Sequence, residues 1–578
     1  MGQSSSTEQG ASPELRELQS LVASTGALPS LQRSFPLLSH PQTQSIPLPS
    51  LQLTTYLIKL DIALVSLNLL LDCLNFDLLI TQPVVYSVSP FTFVSQKCFD
   101  LTCANVEFDQ HVVLKELPLL FTHLGSAIVE LFFVADENGV SEVEFLRGYT
   151  NICGRAVAST LLNNLFRVFS VACSKAEVRV DLQFELFNDD CKISGALSPR
   201  DVCMLLCICW IFSCDSRMLR LNAGKGDGKF SVSDISHLVF SAIEACSEGD
   251  AGLDFWDYRV SEIDMQLPAA KIHLWALKNV PHLADCFQQF VHARLCYLTL
   301  PEEKSESSCA SANESSSLAI SKHRLLTPGR AWAISLSLRG AMYEEMSKTC
   351  FPNDDDETID NLLYQSSVDG KGLNRFWSRV EGYNGPTVML ISAREQKTNA
   401  RPWIIGALTN GGFENKDIYY GNSGSLYALS PAFHAFLSSG REKNFVYSHS
   451  HGRSYEAKPK PVGLAFGGSL GNERIFLDDD FARVTVHHHA VDKTYQHGNL
   501  FPNQGFLPTE ASVFQVEVWG LGGRSAREVQ AAHQKREEIF TDQRRKIDLK
   551  TFTNWEDSPE KMMMDMMSNP NAVRPEER

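Results

Sequence analysis

Histidine is the residue type that this sequence places best for metal chemistry. His487, His488 and His489 are consecutive, and three more stand nearby, namely His449, His451 and His497. On a strand, His487 and His489 would share one face, and imidazole nitrogens are common zinc ligands. A zinc site needs further ligands that converge from elsewhere in the fold. We therefore interpret the run as solvated or interface histidines, and predict no metal ligands and no cofactor.

The serines and aspartates lack the spacing of a hydrolase. The sequence has no G-x-S-x-G nucleophile motif, and the nearest stretch, G-N-S-G-S at 421–425, has the wrong spacing. It also has no G-x-x-x-x-G-K-[ST] phosphate loop. Asp478, Asp479 and Asp480 are typical of a turn or a solvated acidic edge. We predict no catalytic residue and identify no small-molecule substrate. The alternative is an antioxidant or hydrolytic enzyme that acts through polar residues of the C-terminal half.

Gly2 is the clearest candidate for a modified residue. The start M-G-Q-S-S-S matches the M-G-x-x-x-[ST] pattern for N-myristoylation. No Lys or Arg precedes Arg16, and no cysteine precedes Cys73, so the N-terminus offers no second anchor. One acyl chain gives only marginal, reversible membrane binding. We predict a cytoplasmic protein that associates reversibly with a membrane.

Composition excludes several classes of protein. The 578 residues are 44% hydrophobic and 21% charged, with a net charge of −16, which is ordinary for a soluble globular chain and gives no general attraction to nucleic acid. All 15 cysteines lie between Cys73 and Cys350. The only cluster, at 203, 207, 209 and 214, lies in a continuous apolar run, so we read it as small core residues. A reducing compartment fits this pattern.

Two N-terminal segments carry little folding information. We predict that residues 1–52 are flexible. Residues 53–96 form an atypical apolar insert, which Asp72, Asp77, Pro83 and Pro90 interrupt. A membrane span needs about 20 predominantly apolar residues, so we do not interpret this stretch as one. The alternative is that it is an unspliced insert and not native sequence.

Residues 97–300 have helical periodicity. Apolar residues recur at helical spacing over 111–133, a loop follows at 136–139, and a second helix is predicted from about 141 to 162. A similar unit spans 205–245, so the region resembles a diverged EF-hand pair. Its loops offer few calcium ligands: Asp136, Asn138, Asp227 and Asp234 are the candidates, and Lys225 occupies a ligand position. We predict that calcium does not bind there.

The segment 301–323 is rich in Ser and Glu and is predicted to be a linker. From 324 to 523 the pattern changes to short β-rich runs with glycine turns, at 387–391, 404–408, 464–466 and 483–486. The last run, 513–519, alternates, which predicts Phe514, Val516 and Val518 on one face and Gln515 and Glu517 on the other.

Seven ordered blocks in this segment carry a specific resemblance. They stand at 362–367, 373–376, 381–387, 420–427, 464–468, 475–481 and 514–520, and include E-G-Y-N-G-P-T and Y-G-N-S-G-S-L-Y. Together they resemble a TLDc domain, the module of the oxidation-resistance proteins. With the glycine start and the EF-hand-like half, the chain resembles the N-myristoylated subgroup of that family.

The resemblance implies an α+β fold in which two antiparallel sheets pack face to face with flanking helices. It implies contact with the vacuolar-type proton ATPase, and roles in oxidative stress and in growth signalling at vacuolar or lysosomal membranes. It brings no catalytic mechanism. We therefore predict a non-enzymatic, lipid-tethered regulatory adaptor whose partners are subunits of that ATPase.

The C-terminal segment 524–578 is predicted to be a helix and a tail. Residues 524–550 contain no Pro or Gly, with eight basic and five acidic residues. Val529, Ala532, Phe540 and Ile547 form only a sparse apolar stripe, which favours docking on a partner over independent stability. Five methionines between 562 and 567 follow, and they would suit an adaptable binding segment.

Overall fold

The computed structural model describes residues 12–38, 106–108, 114–133, 140–187, 190–222, 230–247, 255–297, 324–351, 361–397, 400–450, 460–553, 561 and 563. Gly2, the insert 53–96 and the linker 301–323 lie outside these residues. The interpretations placed on those segments therefore stay predictions.

The N-terminal half is built mainly from helices. Within the described residues they span Pro13–Ala23, Leu28–Leu38, Leu117–Phe132, Glu142–Cys153, Ala158–Lys175, Pro199–Asn222, Ser236–Cys246, Ala269–Asn279 and Leu283–Tyr297. The first two form within the segment predicted to be flexible, and they dock on the rest through Ser34, whose Oγ donates to the Leu295 carbonyl at 2.6 Å. We call this part, together with helices Pro328–Ser335 and Gly340–Cys350, the helical region.

One helix forms the centre of the helical region. Pro199–Arg220 is long and apolar enough to cross a membrane by length and composition, yet 94% of its apolar window is buried inside the protein. Trp210 on this helix packs edge-on against Trp332 and Phe351, with ring centroids 5.4 and 4.9 Å apart. The cysteines at 203, 207, 209 and 214 are all buried along it, as predicted for small core residues.

The predicted single helix over 141–162 is wrong. Ser141 caps the helix Glu142–Cys153 through a capping box with Glu144. The helix ends at Gly154, which is extended, and a second helix begins at Ala158. A side chain on Gly154 would lie 2.3 Å from the Thr150 carbonyl oxygen, so the local turn requires glycine there.

The described part of this half also contains five short strands: β1 Val106–Phe108, β2 Asp181–Phe187, β3 Asp190–Leu197, β4 Phe230–Val232 and β5 Leu267–Pro268. Strands β2, β3 and β5 form an antiparallel sheet. Strand β4 pairs in parallel with β1.

The C-terminal half is a curled antiparallel sheet of eleven strands. They are β6 Leu362–Gln365, β7 Thr387–Glu395, β8 Trp403–Thr409, β9 Lys416–Tyr420, β10 Gly424–Ser430, β11 His434–Leu437, β12 Val446–His449, β13 Gly463–Ser469, β14 Asn472–Asp478, β15 Arg483–Val486 and β16 Thr509–Gly520. Each of the five strand runs predicted from the sequence lies in one of them. Two short helices, Ser366–Asp369 and Leu373–Val380, follow β6, and a long helix, Gly523–Thr553, follows β16.

The strands form one continuous sheet, where two separate sheets were predicted. Their order is β11-β10-β8-β7-β16-β15-β14-β13-β12-β9, and β6 also pairs with β16. Strand β16 is twelve residues long and pairs with β7 on one side, while β15 and β6 share its other side. Because β16 pairs with strands on both of its sides, the backbone hydrogen bonds continue from one part of the sheet to the other where the sheet curls.

The predicted alternation in β16 fails at Phe514 and Glu517. The register with β7 shifts between Val513 and Gln515, so Phe514 lies in a bulge and is 47% exposed. Val513 instead joins Val516 and Val518 in the core inside the curled sheet. Glu517 is fully buried, because helices cover the outer face of this part of the sheet.

Both faces of the sheet are buried where the helical region packs on it. Met389 and Ile391 on β7 belong to the core inside the curl, whereas Val388 and Leu390 belong to the core of the helical region. The core of the helical region also includes Tyr427 on β10, Phe433 immediately before β11, and other side chains of β8, β10 and β11. One hydrophobic core therefore joins the two halves of the chain.

Candidate functional site

The three consecutive histidines open a long connection between β15 and β16. This connection, residues 487–508, has no strand or helix of its own, and Val486 pairs with Thr509 at its base. Loops of this length that are well packed are usually functional. We call it the 487–508 connection.

A buried ion pair holds this connection against the sheet. Arg474 on β14 is fully buried, and its Nη1 donates to Asp492 Oδ2 at 2.7 Å and to the Gln496 carbonyl at 2.6 Å. Its Nη2 donates to the Gly498 carbonyl at 3.0 Å. Asp492 also accepts hydrogen bonds from the backbone amides of Thr494 and Tyr495, at 2.8 and 2.9 Å. The guanidinium thus fastens three points of the connection.

The charge state of Asp492 follows from these contacts. Burial alone would raise the pKa of this carboxyl, but neighbouring His489, the Tyr495 amide and the Arg474 guanidinium together lower the pKa to about 2. Asp492 is therefore ionised at neutral pH. Neither Arg474 nor Asp492 stands out in the sequence. The one available signal is that Arg474 stands directly before the apolar run 475–477.

The histidines of the connection do not form a metal site. The rings of His487 and His489 lie 6.4 Å apart, and His488 packs edge-on against Phe506. His489 Nδ1 is 3.7 Å from Asp492 Oδ2. Among the described residues, no group of three or more His, Cys, Asp or Glu side chains is placed to hold a metal ion. His449 lies on β12 and His497 on the surface of the connection, and His451 lies outside the described residues.

The 421–425 stretch lines a cleft between the sheet and the helical region. The cleft has a volume of about 420 Å³, and its lining includes Ser423, Ser425, His282 and Arg339. His282 Nδ1 lies 2.8 Å from Asp285 Oδ2, so serines, a histidine and an aspartate, the residue types of a hydrolytic triad, lie in or beside the cleft. Arg339 Nε, however, donates to His282 Nε2 at 2.8 Å. That nitrogen is the one that would accept a serine proton, so this arrangement does not activate a serine.

The aspartates at 478–480 form the turn between β14 and β15, as predicted. Asp478 Oδ1 accepts from the Arg483 amide at 3.1 Å, and Asp480 Oδ1 accepts from the Ala482 amide at 2.8 Å. Phe481 adopts the left-handed conformation, with φ of 57°. Both carboxylates serve the turn, and their side chains also interact with each other.

Of the four candidate calcium ligands, only Asp234 lies within the described residues. Its Oδ1 accepts from the amide and the hydroxyl of Ser236, at 2.9 and 2.6 Å, at the start of helix Ser236–Cys246. Burial opposes ionisation of Asp234, but these hydrogen bonds and nearby positive charge lower its pKa. Asp136, Asn138 and Asp227 lie outside the described part of the chain. The absence of calcium binding stays a prediction.

The cysteine thiols are poorly placed for redox or nucleophilic chemistry. Among the cysteines whose side chains the structure describes, ten are free, and nine of these are buried. Burial and, to a smaller extent, nearby Asp215 raise the pKa of the Cys214 thiol to about 12. A reactive cysteine needs a lowered pKa and access to solvent. The segment after Cys350 has no cysteine.

The C-terminal helix Gly523–Thr553 divides into a docked part and a free part. Ala526 and Gln530 are buried, and Gln530 Nε2 donates to the Arg379 carbonyl at 2.7 Å. His533 lies against Gly382, where a side chain would come within 2.6 Å of the His533 Cβ. From 534 to 546 every residue is exposed. At about 1.5 Å rise per residue, the twenty residues from 534 to 553 extend about 30 Å.

Comparison with known families shows which domain the curled sheet belongs to. Residues 338–522 match the family model of the TLDc domain. The match begins within the helical region and ends where β16 gives way to the C-terminal helix, so it covers the whole curled sheet. No curated protein matches the chain.

Proposed function

We propose that this chain, whose residues 338–522 match the TLDc domain, is a non-enzymatic regulatory adaptor. In this proposal a myristoyl group on Gly2 tethers it reversibly to a vacuolar or lysosomal membrane. Its TLDc domain and C-terminal helix contact subunits of the vacuolar-type proton ATPase, in stress response or growth signalling. The partner and the subgroup come from the family resemblance, and the contact surface comes from the fold.

The exposed part of the C-terminal helix carries the proposal. Docking of Ala526, Gln530 and His533 fixes the direction of the helix, so the residues beyond 533 are held out from the domain. An isolated helix of twenty residues with few apolar contacts is marginal in water. Here its docked first turns serve as a preformed nucleus. The free part is therefore ready to enter a groove without paying for helix nucleation.

The composition of the helix indicates the groove it fits. Phe540 is 63% exposed, and it shares a helix face with Val529, which is 42% exposed. The opposite face carries Lys535, Glu538, Asp542 and Arg545. Positive charges outnumber negative ones in 524–550, although the whole chain is acidic. We infer a groove with a narrow apolar floor and an acidic rim, the mode in which an amphipathic helix binds through spaced anchors.

The enzymatic alternative receives less support. The cleft is lined by serines and His282, but His282 Nε2 accepts a hydrogen bond from Arg339. The described cysteines are mostly buried, and several have raised pKa values. A turnover assay on purified protein tests this alternative. Activity that disappears in Ser423→Ala or His282→Gln while the fold is retained would favour it.

The adaptor proposal is tested by co-purification of ATPase subunits with the full chain. We expect Val529→Ser/Phe540→Ser to reduce recovery of the subunits at least tenfold, because it removes the apolar anchors. The matched control, Glu538→Gln/Asp542→Asn, changes the opposite face of the same helix and should retain binding. Equal recovery with both double variants would remove the helix from the proposal.

The tether is tested separately. Gly2→Ala prevents acylation, so it should move protein from the membrane fraction to the soluble fraction. Because one acyl chain binds membranes marginally, the unaltered chain itself should divide between the two fractions. Identical partitioning of the two proteins would remove the tether while leaving the ATPase contact open to its own test.

A further inference from the structure

The turn at 505–508 is the most exposed apolar feature of the described chain. Phe506 is 84% exposed and Leu507 is 80% exposed, the highest values among its large hydrophobic side chains. The two residues are adjacent and lie between Gly505 and Pro508, near the end of the 487–508 connection. We call residues 505–508 the finger.

The finger has a rigid base. Leu500 is fully buried, and its amide donates to Gln504 Oε1 at 2.7 Å. The ring of Phe501 stacks on Trp403, with centroids 4.8 Å apart and planes at 4°. On the other side, the Phe506 ring packs edge-on against His488, with centroids 5.0 Å apart. The exposed side chains are thus held out by a packed support, and their projection needs little ordering on binding.

The lack of charge and the small apolar area of the finger indicate what it binds. The twelve residues from 498 to 509 contain no charged side chain, so nothing in them requires a complementary charge. Two protruding side chains cannot bury the roughly 800 Å² that each partner contributes to a stable protein interface. They are sufficient to enter the boundary between lipid headgroups and acyl chains, where each buried apolar group adds to binding.

We propose that Phe506 and Leu507 form a membrane-inserting finger that contacts the lipid interface directly. The finger adds a weak contact of its own to the marginal binding of a single acyl chain at Gly2. This proposal rests on the proposed function in one respect, namely that the chain works beside a membrane. Its own contribution is measurable without the acyl group, so that failure of the finger and failure of the tether are distinguishable.

The experiment uses the full chain carrying Gly2→Ala and vesicles of zwitterionic phosphatidylcholine. Removing a Phe or Leu side chain that leaves water on binding changes a partition coefficient by roughly tenfold. We expect Phe506→Ser/Leu507→Ser to lower the partition coefficient at least tenfold, with little dependence on salt. The matched control, Leu274→Ser/Val368→Ser, removes two apolar side chains that are 64% and 76% exposed elsewhere, and should leave partitioning unchanged.

A second measurement reports insertion itself. In Phe506→Trp, the added tryptophan should shift to shorter emission wavelength on vesicles and be quenched by brominated lipid beyond the quenching of the native tryptophans. Unchanged partitioning in the finger variant, or absence of extra quenching, overturns the proposal. Loss of ATPase recovery with normal vesicle partitioning overturns it as well, since it would make the finger a protein contact.

Discussion

Glu517 Oε1 accepts a hydrogen bond from the backbone amide of Leu325 at 2.8 Å, which ties the last strand of the sheet to the segment entering from the helical region. The other carboxylate oxygen accepts from the Leu326 amide at 3.2 Å and from Trp519 Nε1 at 3.0 Å. Glu517 is fully buried, so water cannot replace it as an acceptor.

Glu517→Ala should therefore lower the free energy of unfolding by about 3 kcal/mol or more, because it leaves several buried donors without an acceptor. Urea unfolding followed by circular dichroism measures this change. Glu510→Ala, on the exposed part of the same strand, should change stability by less than about 0.5 kcal/mol. Similar losses in both variants would contradict the assigned role of Glu517.

A second prediction separates backbone strain from docking of the C-terminal helix. Gly382 and Gly440 both have positive φ, at 81° and 71°, but only Gly382 faces His533. Alanine at either site should cost about 1 kcal/mol in backbone strain. Gly382→Ala should also displace the helix and speed its proteolysis beyond residue 533. If the helix of Gly440→Ala is cut equally fast, the contact with His533 is not what holds it.

A third prediction concerns acid. His237 is buried beside Phe433 where the helical region meets the sheet, and burial together with nearby Arg330 lowers its pKa to about 4. Between about pH 6.5 and 4 the unfolded chain binds a proton at this site that the folded chain does not. Folding stability should therefore fall as the pH drops through this window, by up to about 3 kcal/mol from His237 alone.

Urea unfolding at several pH values tests the sign and the window. His237→Gln should remove up to about 3 kcal/mol from the loss of unfolding free energy between about pH 6.5 and 4. His497→Gln, at an exposed position, should change stability little. An unchanged slope in His237→Gln would show that other groups account for the acid sensitivity.

A fourth prediction contrasts two ion pairs. Arg474 and Asp492 are each 1% exposed in their side chains, whereas Lys460 and Asp417 are 36% and 49% exposed. Arg474→Met leaves a buried carboxylate without its partner and should lower the unfolding free energy by about 3–5 kcal/mol. Lys460→Ala should lower it by less than about 1 kcal/mol. A small effect at Arg474 would mean that the 487–508 connection is held by its apolar residues instead.

The sequence predicts those parts of the fold that depend on local pattern. Runs of β-branched residues such as 387–391 and 483–486 become strands β7 and β15, and the aspartates at 478–480 become a turn. The long C-terminal helix also follows from the absence of Pro and Gly over 524–550.

The features that were missed depend on contacts between distant residues. Burial of Glu517 follows from helices that cover the outer face of β16, and its amide donors lie more than 190 positions away. Arg474 finds Asp492 only because the connection folds back over β14. Phe514 departs from alternation because of a bulge, which apolar periodicity does not reveal.

The core that joins the helical region to the sheet bears on any work with fragments of this chain. A fragment cut at residue 338 would keep the segment that matches the TLDc family but lose helix Pro328–Ser335 and the helices before it. Val388, Leu390, Tyr427 and Phe433 would then lie on an uncovered apolar face. Such a fragment should self-associate, and binding measured with it would report an artificial surface as well as the native one.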